Sequence, residues 1–317
     1  MTTYIIRRLL LLPLLMLGIS LIVFILIQLA PGDPITSQYG LKLSEMDIAT
    51  VERLREELGL NDPVMVQYGR YLGNLLQGNM GQSITSRTPV LDEIAARFPA
   101  TLELAALGML MTVVVAVPLG VFAAIKRGSL FDNVLMAGAL FGVSIPSFWF
   151  GVMVILVFGL WLGWLPISGR GDGPIYQRLE YLVLPSLTLA IGLMGIVSRM
   201  VRSSVIEVLG LDYIRTARAK GLKSRTVLVR HAIRNALIPV VTLGGLMVVN
   251  MLNGVVVTEI IFDFPGMGSA AARAAGSLDA LAVLGFVLFG GMVLIIANVV
   301  VDLLYAVIDP RIRLIGQ

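Results

Sequence analysis

The chain has 317 residues, is 57% hydrophobic and only 14% charged, and has a mean hydropathy of +0.90. A water-soluble core cannot hide that much apolar surface, so lipid is the solvent for most of the chain, and the net charge of +4 reports topology rather than nucleic-acid binding. The absence of cysteine excludes a disulfide framework and a thiolate metal site.

A membrane-spanning helix needs about 20 mostly apolar residues, because every backbone N–H and C=O must be satisfied within the segment. Residues 9–30, 102–125, 134–160, 182–201, 236–261 and 280–306 meet that need, which makes six expected spans. The first, preceded by Arg7 and Arg8, has the outline of a signal peptide. Its apolar run is long, however, and passes into "LAPGDP" instead of a small-residue cleavage site, so it reads as a retained helix.

Residues 31–98 follow as a helical segment outside the membrane. "LSEMDIATVERLREELGL" reads as an amphipathic helix, with Ser44 as N-cap, Met46, Ile48, Val51, Leu54 and Leu58 on one side, and Gly59 at the stop. "DPVMVQYGRYLGNLLQGNMGQSI" is apolar at Val64, Val66, Tyr68, Tyr71, Leu72, Leu75 and Leu76, then Gly-rich. Such a segment either caps the membrane helices or offers a docking face. In the third span, "SIPSFWFG" predicts a kink at Pro146, and Trp161 and Trp164 suit the interface belt.

Orientation follows from Lys and Arg near span ends. Arg7 and Arg8, Lys126 and Arg127, the basic stretch after span four, and Arg311 and Arg313 all fall on one side if the spans alternate. That side is the cytoplasm, and both termini lie in it.

The stretch between spans four and five holds Arg215, Arg218, Lys220, Lys223, Arg225, Arg230 and Arg234, together with the only histidine, His231. It reads as organised rather than as a plain topology signal. Asp212 is placed to cap a short helix through "YIRTARAK", and Gly221 can take the positive φ that ends it. Ser224 is placed to cap a second helix running into span five. Tyr213, Ala217 and Lys220 fall at i, i+4 and i+7, and Thr216 and Ala219 are small enough for another surface to approach. Positive-inside loop, anionic-lipid site and docking element for a cytoplasmic protein all fit these residues.

The motifs narrow the choice. "DYIRTARAKG" at 212–221 and "HAIRNALIP" at 231–239 resemble the cytoplasmic loop of permease subunits in binding-protein-dependent ABC importers, in the dipeptide, oligopeptide and nickel branch. The resemblance extends over nearly the whole chain through "LGLNDPVMVQYGRYLGNLLQGNMGQSI", "RFPATLELA", "SIPSFWFG", "LGWLPISG", "TEIIFDFPGMG" and "DLLYAVIDPRIR". Where the wider family's loop carries Glu-Ala-Ala, this chain has Arg215, Thr216 and Ala217.

The resemblance implies an all-α membrane protein of the type I, MetI-like permease fold. It has a transmembrane helix at 1–30, an extracytoplasmic helical segment at 31–98, a five-helix transmembrane domain at 99–310 with a coupling loop at 202–238, and a cytoplasmic tail at 311–317. It further implies a second homologous permease, two cytoplasmic ABC ATPases and an extracytoplasmic solute-binding protein as partners, beside membrane lipid and with no nucleic acid. Asp212, Tyr213, Arg215, Thr216, Ala217, Ala219, Lys220, Gly221, His231, Arg234, Asn235 and Pro239 are the matching residues expected to couple to the ATPases. The chain contains no G-x-x-x-x-G-K-[ST] phosphate loop, so ATP and Mg²⁺ belong to the partner subunits and no cofactor is expected here. The substrate classes implied are dipeptides, longer peptides, glutathione, nickel chelates and oligosaccharides.

Other functions leave different marks. An ion-gradient-driven secondary transporter would carry inverted repeats, broken helices and midplane charges. An intramembrane enzyme would need paired carboxylates or a His-rich metal site within spans. Glu103, Glu259 and Asp302 lie near span ends, where water or arginine can satisfy them, and lone His231 reads as a structural group. The Gly138 to Gly142 spacing reads as helix packing.

Overall fold

A computed structural model of the chain describes residues 2–29, 47–57, 59–171 and 173–308. Ser44, Met46, Leu58, Arg311 and Arg313, named above, lie outside the described residues, as does the side chain of Asp302. Among the described residues all regular structure is helical apart from one isolated bridge between Gln82 and Pro89.

The helices are α1 (Thr2–Leu29), α2 (Ile48–Glu57), α3 (Val64–Leu76), α4 (Val90–Ile125), α5 (Leu130–Ser144), α6 (Ser147–Trp161) and α7 (Ile175–Leu209). Then come α8 (Asp212–Ala219) and α9, which joins Ser224–Thr226, a π-helical stretch Val227–Ile233, and Arg234–Ala236. The series ends with α10 (Ile238–Ile261), α11 (Met267–Gly276) and α12 (Ala280–Ile308).

Among the described residues, Val90–Ile125, Tyr176–Leu209 and Ala280–Val301 are long and apolar enough to cross a membrane. The bent pair α5 and α6 makes a fourth if counted as one span, and Pro13–Leu26 and Met247–Ile261 are shorter apolar helices.

The structure adds detail to three sequence expectations. The span expected at 102–125 is the C-terminal part of a helix that begins at Val90, where Asp92 and Glu93 favour the positive end of the helix dipole and extend it ahead of the apolar run. The span expected at 182–201 is the middle of a longer helix running Ile175–Leu209. The kink expected at Pro146 is a break of 108°, since the proline drives Ile145 into an extended conformation at φ −78°, ψ 131°.

The chain divides into two compact units. The first comprises Met1–Thr101 and Pro265–Ile296. In one cluster Phe24 of α1 and Tyr71 of α3 pack with Leu284 and Leu288 of α12; in another, Val90 and Ile94 pack with Met267, Ala270 and Phe286. The Tyr68 and Ser20 hydroxyls meet at 2.8 Å, so α3 lies against α1. Asp279, buried, caps α12 by accepting from Ala282 N at 3.1 Å, while its other oxygen accepts from Ser83 Oγ at 2.6 Å and Thr85 N at 3.1 Å.

The second unit comprises Leu102–Phe264 and Ala297–Gln317. Its axis is α7, with 61% of its most apolar stretch buried. Ala190, Met194, Val197, Val201 and Val205 of α7 form a core with Ala116 and Ala124 of α4 and with Val240, Met247 and Met251 of α10. Glycines bring the helices into backbone contact. A β-carbon on Gly195 would lie 2.4 Å from the Ala139 carbonyl oxygen, and one on Gly120 2.5 Å from that of Ser198. Of the expected packing pair, Gly142 would meet the Ile191 carbonyl at 3.3 Å, whereas Gly138 has open space.

Candidate functional site

The loop after α7 builds itself around one short helix. Gly210 and Leu211 turn the chain out of α7, and α8 begins at Asp212. The residue in the N-cap position is Leu211, with no side-chain cap. Asp212 therefore does not cap the helix as expected; it occupies the first turn, where its charge favours the helix dipole, and accepts from Arg215 Nη1 at 3.2 Å. Ser224 likewise stands as the first residue of α9, with Lys223 in the cap position.

The stop is as the sequence predicts. Gly221 has φ +77°, its amide donates to Arg218 O at 2.9 Å, and Leu222 N donates to Ala217 O at 3.4 Å. This pair of bonds is the Schellman arrangement, which favours glycine at the left-handed position.

Side chains of α8 sort into two faces. Ile214 and Ala217 are buried against Val227 and Ala232 of α9, with Val208 and Leu209 of α7 and Leu228 packed around them. Arg215, Thr216, Ala219 and Lys220 are exposed. Ala217 thus serves the loop's own core, while Ala219 is a small residue offered to the outside. Thr216 Oγ1 donates to Asp212 O at 3.1 Å, keeping its hydroxyl on its own helix.

A second cluster fixes α8 to α9. Asn235 Nδ2 donates to Tyr213 Oη at 2.8 Å and to His231 O at 3.1 Å, and Tyr213 Oη donates to the same carbonyl at 3.3 Å. The structure so joins Tyr213 from the first motif with His231 and Asn235 from the second, and His231 contributes its backbone carbonyl. The carbonyl lies in the π-helical stretch, a geometry that often marks functional positions. Arg234 and Pro239 are exposed and stand outside both clusters.

Two carboxylates elsewhere in this unit, Glu103 and Asp132, are paired with arginines. Glu103 receives Arg170 through two bonds of 2.6 and 3.1 Å and Arg178 at 3.3 Å. Asp132 is buried and paired with Arg202 across 70 residues of sequence, a contact that sequence reasoning missed. Glu259 is fully buried near the C-terminal end of α10, just before the turn in which Gly169 N donates to Phe262 O at 3.0 Å. Among the described residues no three His, Asp or Glu side chains are grouped to hold a metal ion.

The fold and the family match together give the class, the permease component of an ABC transporter. Solved structures of the inward-facing MetNI methionine ABC transporter share the fold, one with a TM-score of 0.53 at 16% identity, covering 69% of this chain and 97% of that one. Within that class the chain belongs to the family of binding-protein-dependent transport system inner membrane components, whose model matches residues 116–314, and whose N-terminal companion matches residues 1–105. Similar proteins include the oligopeptide transport system permease protein AppB of Bacillus subtilis, 39% identical over 99% of this chain and 100% of the relative. The di/tripeptide transport system permease protein DppB of Pseudomonas aeruginosa is 41% identical, with 99% of each chain covered.

Proposed function

We propose that this chain is the permease subunit of an ATP-driven, binding-protein-dependent importer of peptides. Relatives named for oligopeptide and di/tripeptide transport match it from end to end, which favours peptides over the other solutes of the branch. The chain forms half of the translocation pathway and pairs with a second homologous permease. Two cytoplasmic ATPases supply ATP and Mg²⁺ sites, and an extracytoplasmic solute-binding protein delivers the substrate. Six spans cross the inner membrane with both termini in the cytoplasm. Residues 31–98 form the extracytoplasmic segment, residues 99–310 the translocation domain, and residues 311–317 the tail.

Coupling runs through residues 212–239. The observation that carries this reading is the loop's self-supporting build: α8 stands on its own core, is tied to α9 through Tyr213 and Asn235, and leaves Arg215, Ala219 and Lys220 exposed. A rigid helix of that kind can be seated in a partner's cleft and moved as a body. Plain topology signals require no such build. The ion-gradient alternative has no support from the relatives reported above, which are named as permease proteins of peptide transport systems, or from the family, which is described as binding-protein-dependent.

Reconstituted proteoliposomes test the proposal. Chain, second permease, ATPases and peptide-loaded binding protein should accumulate labelled peptide only with ATP. Uptake driven by an imposed ion gradient without ATP would refute it.

A further inference from the structure

The turn between α4 and α5 closes around one buried carboxylate. Asp132 Oδ1 accepts from Arg202 Nε at 2.5 Å, and Oδ2 accepts from Arg202 Nη2 at 2.7 Å and from Gly128 N at 2.9 Å. Ser129 Oγ in turn accepts from Asp132 N at 3.3 Å, and Gly128 holds φ +78°. A two-pronged guanidinium–carboxylate pair fixes orientation as well as distance. A buried ion pair is at the same time a poor way to gain stability, since apolar residues of similar volume often serve as well or better. Its presence at this place calls for a positional role.

Arg202 lies on α7, seven residues before that helix ends at Leu209, or about 10 Å at 1.5 Å per residue. The intervening sequence, "SSVIEVL", contains neither glycine nor proline, and Val201 and Val205 are fully buried. One turn earlier Gly120 lets α4 close on Ser198, and two turns earlier Gly195 lets α5 close on α7. At the end of α7, Val208 and Leu209 pack directly on the α8 core. Rigid contacts therefore run unbroken from α8, through the end of α7, to the α4–α5 turn.

We propose that Asp132 and Arg202 are positioning residues that lock the α4–α5 turn to the loop-bearing end of α7. Displacement of α8 then moves α4 and α5 together with α7, rather than bending α7 alone. This inference rests on the reading of α8 as the ATPase-docking helix.

The experiment measures peptide transported per ATP hydrolysed in the reconstituted complex. Arg202→Lys keeps the charge and removes the two-pronged geometry, so the ratio should fall by about two- to thirtyfold, the range of coupling changes seen for residues that touch neither ligand. ATP hydrolysis and assembly should persist. Because a single variant can fail to fold, Asp132→Leu/Arg202→Met supplies apolar volume in place of the pair; it should melt near the wild type and still show the lowered ratio. An unchanged ratio in a folded, assembled variant of either kind overturns the lock. A cysteine at position 219 separates the two claims. If it fails to cross-link to an ATPase even in the otherwise wild-type complex, the docking reading is what has failed. If it cross-links normally and the ratio is unchanged in Arg202→Lys, only the lock has.

Discussion

Gly195 offers the sharpest test of how the helices of the second unit are held. Replacing it with alanine puts a β-carbon 2.4 Å from the Ala139 carbonyl oxygen and 2.9 Å from Val143 Cγ2. Ordinary contact needs roughly 1 Å more, and the obstacle is backbone, so α5 and α7 must part by about that distance. Overpacking costs about 1–3 kcal/mol, and a backbone obstacle that cannot rotate away puts Gly195 at the upper end, about 3 kcal/mol; against a helix-propensity gain of about 1 kcal/mol on losing glycine, the net loss is about 2 kcal/mol. Gly138 is the internal control. No atom lies within 4 Å of its β-carbon position, so Gly138→Ala should gain up to about 1 kcal/mol. Unfolding titrations in mixed micelles give both differences. Equal stability of Gly195→Ala and wild type, or an equal loss in Gly138→Ala, would refute the close-approach argument.

The two alanines of the loop should separate by role. Ala217→Leu overfills the core made with Ile214, Val227 and Ala232 and should expose the loop to protease, whereas Ala219→Leu should leave digestion unchanged and reduce ATPase retention on the purified permease. Asp279→Ala strands Ser83 Oγ, Thr85 N and Ala282 N, at a cost of about 3 kcal/mol, and limited proteolysis should then cut near residues 83–88. Tyr71 Oη is buried with no hydrogen-bond partner among the described residues, so Tyr71→Phe should raise stability by roughly 1 kcal/mol in thermal unfolding. Burial, with a smaller contribution from neighbouring Tyr68, pushes the Tyr71 hydroxyl from 10.0 up to about 12. The folded state thus holds its proton while the unfolded chain releases it. Stability is present below pH 10, falls as pH rises through 10 toward 12, and that part of the slope should vanish in Tyr71→Phe.

Features set by one residue's backbone were legible in the sequence. Gly221 ends α8 with a positive φ because the left-handed position excludes most other residues, and Pro146 interrupts α5 and α6 because it constrains Ile145 before it. Sidedness within α8 was not. Spacing grouped Tyr213 with Ala217 and Lys220, but the buried stripe is Ile214 and Ala217, and an alanine carries too little apolar signal to mark a core position. Helix ends were not legible where an acidic first turn continued ahead of the apolar run, as at Val90. The pairing of Asp132 with Arg202 depends on the register of two helices 70 residues apart, which no local pattern encodes. The joining of Tyr213 to Asn235 was partly foreshadowed, since both belong to the motifs that flagged the loop.

The chain has no cysteine, so Ala219→Cys gives this subunit a single thiol. Bifunctional thiol–amine cross-linking in native membranes should join it to an ATPase subunit, with a yield that changes when ATP is added. Labelling of that cysteine by an impermeant reagent from the outer side, with no ATPase adduct in either nucleotide state, would contradict the account.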